Sequence, residues 1–280
     1  MLDRPPKTYQ SMTLQYQTGH AAALEDLKQS FDSPAAWWVI SKQQVLSKYR
    51  RTILGPWWIT LQRLFFIAGL SLLFGTLLGR DIADFIPYVA IGFIVFSVLV
   101  SSLNTSATLI TANISVLKNS AMPVSILNFR FISTTLIQLG HDLVAVAITL
   151  LVLHRDWSEA AFLSVLGLAL VLINAFAISF WVAPLAARFR DLAPLIQTLS
   201  SVFMFITPIF WYPDDLAASQ RNLLTAWNPI AYLLEIVRSP ILGDAVSPLS
   251  WISAISFTVV NLALGFYAFS FSRQRLRYWV

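Results

Sequence analysis

The chain has 280 residues, of which 57% are apolar and 12% charged, with a net charge of +5 and a mean hydropathy of +0.67. A soluble domain carries about a quarter of charged residues, so this composition excludes a water-soluble globule and points to a polytopic membrane protein. There is no cysteine, which excludes disulfides, thiol catalysis and cysteine metal centres, and His20, His141 and His154 are too scattered to suggest a metal site.

Residues 1–32 are mixed and polar without a clear period and read as an N-terminal tail. No signal peptide is evident, because the first long apolar run begins only near Trp57. A helix start is marked at Ser33, suited to an N-cap, and Pro34, suited to the first helical position. Over 33–53 a helical wheel places Ala35, Trp38, Val39, Val45, Leu46, Tyr49 and Ile53 on one face. Gln43, Gln44, Ser47, Lys48, Arg50 and Arg51 fall on the other. The pattern predicts an amphipathic helix lying on a membrane surface; the alternative is an amphipathic helix packed on soluble protein. "LGPWW" (54–58) then turns the chain into the bilayer, with Trp57 and Trp58 at interface depth.

A spanning helix needs about twenty apolar residues. Runs at 57–79, 85–108, 131–153, 160–186, 192–211 and 249–271 predict six transmembrane helices, an all-α integral membrane fold with both termini on one side. Of the 19 Lys and Arg residues, only Arg80, Arg155, Arg221 and Arg238 fall on the opposite side. The excess on the terminal side makes both termini cytoplasmic by the positive-inside rule. The long outer connection, 212–248, contains semi-apolar pieces interrupted by Pro229 and Pro240. Too short to span, they read as re-entrant or surface helices. Without internal repeats or low-complexity tracts, residues 33–280 read as one domain.

The second connection is unlike a turn. "ANISVLKNSAMPVSILNFRF" (112–131) sets asparagines, a lysine, a proline and an arginine between two apolar runs.

The chain carries no G-x-x-x-x-G-K-[ST] and cannot cradle ATP phosphates by itself. Ion coupling needs carboxylates inside the membrane, and the one well-placed candidate is Asp142 beside His141. The pair reads either as a proton relay or as a hydrogen-bonded pair facing the bundle interior. Arg63, in the first span, reads as a cation snorkelling to the inner surface, with a gating or headgroup role as the alternative. No Ser/His/Asp or paired-carboxylate cluster stands out, so catalysis by this chain is not expected; no metal site or nucleic-acid partner is expected either. Trp57, Trp58, Phe65, Phe66, Tyr88, Phe93, Phe203, Phe210, Trp211 and Tyr212 read singly as lipid-facing or core rings. As a set they are candidates to line a channel along which a glycan slides over many weak sites.

These segments together resemble the ABC transmembrane type-2 permeases that export lipid-linked polysaccharides such as O-antigen, capsule or teichoic acid. The likeness is carried in order by "KYRRTILGPWW" (48–58), "NISVLKNSAMP" (113–123), "ARFRDL" (187–192), "TPIFWYP" (207–213) and "WNPIAYLLEIVRSPILG" (227–243). It covers about residues 35–280. The chain departs from the family at Met122, where an aromatic often precedes the proline, and at Gln62 and Arg63, near a frequent proline. His141 in "LGHDLV" resembles a histidine of the O-antigen exporters.

The resemblance implies that the second connection is a coupling helix docking on a separate nucleotide-binding subunit, with Asn113, Leu117, Lys118 and Pro123 as its candidate residues. It further implies a homodimer in a bacterial cytoplasmic (inner) membrane, paired with two copies of an ABC ATPase that holds the ATP and Mg. No cofactor is expected on this chain. The substrate implied is a polysaccharide on a polyprenyl pyrophosphate carrier, for which Arg50 and Arg51 are candidate inner-mouth contacts, arginine's fork of donors suiting a pyrophosphate. Other readings are an exporter of a drug or small lipid, a membrane enzyme of polyprenyl-glycan assembly, or a proton-coupled carrier built on His141 and Asp142.

Overall fold

A computed structural model describes residues 19–119, 122–154 and 158–279. Among them the chain is helical and contains no strand. The helices are α1 His20–Phe31, α2 Pro34–Lys48, α3 Trp58–Leu77, α4 Ile82–Leu109, α5 Ile114–Asn119 and α6 Ile126–Val152. They continue with α7 Leu163–Arg188, α8 Leu192–Ile206, α9 Ala218–Thr225, α10 Pro229–Leu242, α11 Pro248–Ser272 and α12 Leu276–Trp279.

Helix α4 is the hub. Its residues 87–99 are buried without a break, as expected of a helix apolar on all sides, and α3, α6, α7, α8 and α10 pack around it. The turn from α3 into α4 is short: Gly79 takes a left-handed φ of 62°, and the Asp81 carboxylate caps α4 by accepting from Ala83 N at 2.7 Å. Helix α7 packs on α4, α10 and α11. Two glycines permit close crossings there. A Cβ on Gly167 would stand 2.9 Å from the Ile236 carbonyl oxygen, and one on Gly265 would stand 2.8 Å from that of Ala177. Hydrogen bonds fasten the same layers: Asn174 donates to the Thr258 hydroxyl at 2.7 Å, Asn261 donates to Asn174 at 3.0 Å, and Trp181 donates to Asn261 at 3.1 Å. Each such interhelical bond contributes on the order of 0.6 kcal/mol in a membrane.

Among the described residues five helices, Gly55–Leu77, Ile82–Leu109, Ile126–Val152, Glu159–Arg188 and Pro248–Ser272, are long and apolar enough to cross a bilayer. The sixth expected span, 192–211, is only partly helical. Helix α8 has 15 residues, roughly 22 Å of rise, against a hydrocarbon core of about 30 Å. It stops because Thr207 precedes Pro208 and takes extended backbone, φ −78° and ψ 137°. The chain beyond is irregular yet satisfied: Tyr88 donates to the Trp211 carbonyl at 2.9 Å, and Arg238 donates to that of Pro208 at 2.8 Å. Non-helical backbone buried in protein is tolerated on that condition.

The outer prolines also behave differently from expectation. Pro229 opens α10 at its first position, behind the cap made by Asn228, and Pro240 sits in the last turn before Gly243 closes the helix with φ 88°. Helix α10 is therefore one piece, packed on α4, α7 and α11. At the other end of the bundle lie α1, α2, α5 and α12. Residues 20–31, expected to be part of a tail without a period, form α1, whose buried stripe is Ala22, Ala23, Asp26 and Ser30. A carboxylate within the stripe hides its helical period from a hydropathy reading. Helix α2 starts at Pro34 as expected, although the Ser33 side chain makes no capping bond. Its packed face is Trp37, Ser41 and Val45, of which Val45 belongs to the apolar face read from the wheel: Ser41 donates to the Arg130 carbonyl at 2.9 Å, while Trp38, Val39, Leu46 and, beyond the helix end, Ile53 are exposed.

The crossing at Gly265 gives a direct test. Gly265→Leu drives carbon into the Ala177 backbone, which cannot yield, and is expected to destabilise by about 1–3 kcal/mol. Gly140 has open space around its Cβ position, so Gly140→Ala is expected to be stabilising by up to about 1 kcal/mol. Thermal unfolding of the purified chain in detergent checks both.

Candidate functional site

The end of the bundle that holds α5 is tied together by one buried carboxylate. Asp26, 1% exposed, accepts from Arg273 Nε at 2.7 Å, from Val124 N at 3.2 Å, from Ser125 N at 2.9 Å and from the Ser125 hydroxyl at 2.6 Å. The Ser30 and Ser125 hydroxyls are 2.7 Å apart. Asp26 thus joins α1, the end of α11 and the start of α6, placing negative charge where free N–H groups and the helix dipole favour it. Sequence reasoning passed over Asp26 and Arg273, and no local signal marks them, since 247 positions separate the two.

In front of this clamp stands α5. Leu117 is 4% exposed and packs with Leu109, Ile110, Val124, Leu127 and Leu276, whereas Lys118 is exposed. Asn113 donates to the Leu109 carbonyl at 2.8 Å, so its side chain ends α4. Pro123 is half-buried beside exposed Met122. Of the expected coupling residues, Leu117 anchors, Asn113 caps, and Lys118 projects. Residues 120–121, inside the expected coupling stretch, lie outside the described residues. Arg50 and Arg51 are both exposed, and Arg51 takes a left-handed φ of 67°.

Within the bundle Asp142 and His141 take separate partners. Asp142, 1% exposed, receives a hydrogen bond from Arg63 Nε at 2.7 Å. Arg63 therefore turns into the protein to meet a carboxylate on α6 rather than snorkelling outward, and it lies 5.2 Å from the centre of the Phe93 ring. His141, adjacent in sequence, points elsewhere: Thr60 Oγ1 is 3.2 Å from its Nδ1 and also donates to its carbonyl at 3.1 Å. Neighbours in a helix are about 100° apart around the axis, which is why His141 and Asp142 find different partners.

The ten candidate channel aromatics divide into groups. Tyr88, Phe93 and Phe210 are buried inside the single chain, Phe210 stacking on Phe74 at 5.1 Å and Tyr88 lying against Tyr212 at 4.1 Å. Trp58, Trp211 and Tyr212 are half-buried. Trp57, Phe65, Phe66 and Phe203 are exposed: Trp57 at the turn into α3, Phe65 and Phe66 on α3 and Phe203 on α8, the two helices flanking α4. The outer end closes with Arg80 paired to Asp215 and Arg221 donating to Asp214 at 2.9 Å, so these adjacent acids each hold a cation.

The Arg63–Asp142 pair makes a sharp prediction. Arg63→Met strands a buried carboxylate and is expected to cost about 3–5 kcal/mol. The double variant Arg63→Met/Asp142→Leu removes the stranded charge and is expected to recover most of that loss. A double-mutant cycle on thermal unfolding measures the coupling.

Comparison with known proteins places these features in a family. The sequence matches the ABC-2 type transporter family over residues 35–242. It is similar to the capsule polysaccharide export inner-membrane protein BexB of Haemophilus influenzae, with 22% identity over 224 residues, 78% of this chain and 82% of BexB. The matched region runs from the surface helix α2 through α10, and the all-helical fold with five spanning-length helices agrees with it. The chain belongs to the ABC-2 type transporter family, as a multi-pass membrane permease.

Proposed function

We propose that this chain is the permease of an ATP-driven exporter that moves lipid-linked polysaccharide, of capsule or O-antigen type, across a bacterial cytoplasmic membrane. The observation that carries the reading is the family match over residues 35–242 on a chain with no ATP-binding loop of its own. The similarity to a capsule polysaccharide export protein supports the substrate class. On this reading two copies of the chain pair with two copies of a separate ABC ATPase, which binds ATP and Mg. Both termini are cytoplasmic, and α8 together with the irregular segment after it serves as the sixth membrane crossing.

The exposed side chain of Lys118, on a short helix anchored by Leu117 and followed in the chain by the Val124–Ser125 segment that Asp26 holds, is a peg suited to receive motion from the ATPase. Because the clamp also holds α1, α6 and α11, a push on α5 reaches three helices at once. The exposed rings Trp57, Phe65, Phe66 and Phe203 are the part of the aromatic set available to face a second copy and to line a passage between the two. Rings present weak, repeated contacts to sugar C–H faces, which suits sliding rather than tight binding.

Deleting the gene tests the function. Loss of surface polysaccharide with full-length polymer trapped on the cytoplasmic leaflet is the expected outcome, read by fractionation and surface labelling. Normal surface glycan would sink the polysaccharide reading and assign a small substrate. Loss of polymer everywhere, leaving short precursors, would assign an enzyme of glycan assembly. For the docking role, Lys118→Glu is expected to weaken co-purification of the ATPase by about tenfold while the permease folds normally; unchanged association would remove α5 from that role.

A further inference from the structure

Between α2, α3, α4 and α6 lies a cavity of about 350 Å³ that neither the resemblance nor the proposed function assigns. Its size falls within the ~300–1,000 Å³ of small-ligand pockets. Two cations line it, Lys48 from α2 and Arg130 from α6, together with Gln44, Thr105, Asn113 and Gln138; no aspartate or glutamate does. Arg130 is held by its backbone, the carbonyl accepting from the hydroxyls of Ser41 at 2.9 Å and Thr134 at 3.0 Å. Its guanidinium is poorly served. Nη1 reaches Asn113 Oδ1 only at 3.5 Å, and the buried Nε has no partner among the described residues. A buried cationic donor without an acceptor is a costly arrangement for a protein to keep. The rest of the guanidinium lines the cavity and keeps donor capacity that a ligand's acceptor can use.

An apolar wall comes from Val45, Ile59, Leu109, Leu127 and Phe131, and the hydroxyls of Ser101, Thr108, Thr134 and Thr135 complete the lining as further neutral donors. A site with a guanidinium fork, an ammonium, neutral donors and greasy walls matches an amphiphile whose polar part is a phosphate. We infer that this cavity binds the phosphate-bearing headgroup of a lipid, with Arg130 as the fork and Lys48 as the second charge. Its setting against the α4–α5 junction, through Asn113, would couple occupancy to the segment proposed to face the ATPase; the inference rests on the proposed function for that setting, not for the binding. It also moves the phosphate contact from Arg50 and Arg51, which are exposed and do not line the cavity, to Lys48 and Arg130.

The test uses the purified full chain in phosphatidylcholine nanodiscs containing undecaprenyl pyrophosphate or phosphatidylglycerol, with inorganic pyrophosphate as a soluble competitor. Lipid retention is read by native mass spectrometry for wild type, Arg130→Gln, Arg130→Lys, Lys48→Gln and Arg50→Gln/Arg51→Gln. Retention is expected to weaken about tenfold in Arg130→Gln and in Lys48→Gln, to be intermediate in Arg130→Lys, which keeps the charge and loses the fork, and to be unchanged in the Arg50/Arg51 variant. Lys48 is solvent-facing, so its variant reports binding even if Arg130→Gln unfolds. Selective retention of undecaprenyl pyrophosphate identifies the carrier headgroup; equal retention of phosphatidylglycerol identifies a membrane phospholipid; both uphold the phosphate site. Equal retention by wild type and by both Lys48→Gln and Arg130→Gln overturns it. So does loss of ATPase association in these variants with lipid retention intact, which would give the cavity to the partner protein. Binding is read on the chain alone, so normal surface glycan after gene deletion would overturn export and leave this site standing.

Discussion

A helix with no polar side to spare sets the plan of this protein. Because α4 is buried along 87–99, the helices around it cover it with apolar and small side chains, joined by the guanidinium groups of Arg63 and Arg238 over its Phe93 and Tyr88 rings, and so form the bundle. Its N-terminal half meets α10 at Gly92, where a Cβ would stand 3.0 Å from Leu234 Cδ2, and α3 at the ring pair Phe66–Phe93, 4.5 Å apart. Where no hydrophobic drive distinguishes protein from lipid, close approach and interhelical hydrogen bonds decide which faces meet. The Asn174, Thr258, Asn261 and Trp181 network between α7 and α11 has that role away from α4.

Three buried charges act as fixed points around this hub, and each is met by a partner distant in the chain. Asp142 is met by Arg63, Asp26 by Arg273, and Arg238 by the Pro208 carbonyl with its guanidinium 3.7 Å from the centre of the Tyr88 ring. An unpaired charge in such surroundings is expensive, so each pairing selects one arrangement of helices over its neighbours. The Arg238 contact has a further consequence: it stabilises the irregular segment that follows α8, and so allows a short helix to complete its path through the fold.

The fixed point at Asp26 joins the elements through which an ATP-driven stroke would travel. Helix α5 leans on Leu117, the start of α6 is capped by Asp26, and α11 is bound through Arg273. The cavity with Arg130 opens on the same end. A ligand there and a partner on Lys118 would bear on the same junction, α4 to α6, which gives an exporter a physical means of linking substrate headgroup to motor.

How much of this was legible before folding follows from the range of each interaction. Length and hydropathy determined the all-helical membrane class and five helices to within a few residues of their ends, because a spanning helix satisfies its own backbone and needs only local composition. The motifs between spans marked α5 and the short outer helices, and the absence of an ATP-binding loop pointed to a partner. Tertiary structure decided the rest. Arg63 found Asp142 across 79 positions and Arg273 found Asp26 across 247; Thr207–Pro208 ended α8 early because Tyr88 and Arg238 were there to receive the open carbonyls. Helix α2 turned Trp37 and Ser41 inward beside Val45, and the lining of the Arg130 cavity came from four separate helices. Local sequence determines which segments are helices, since their hydrogen bonds close within four residues; partners of buried charges are chosen by proximity in space, which only the packed bundle provides.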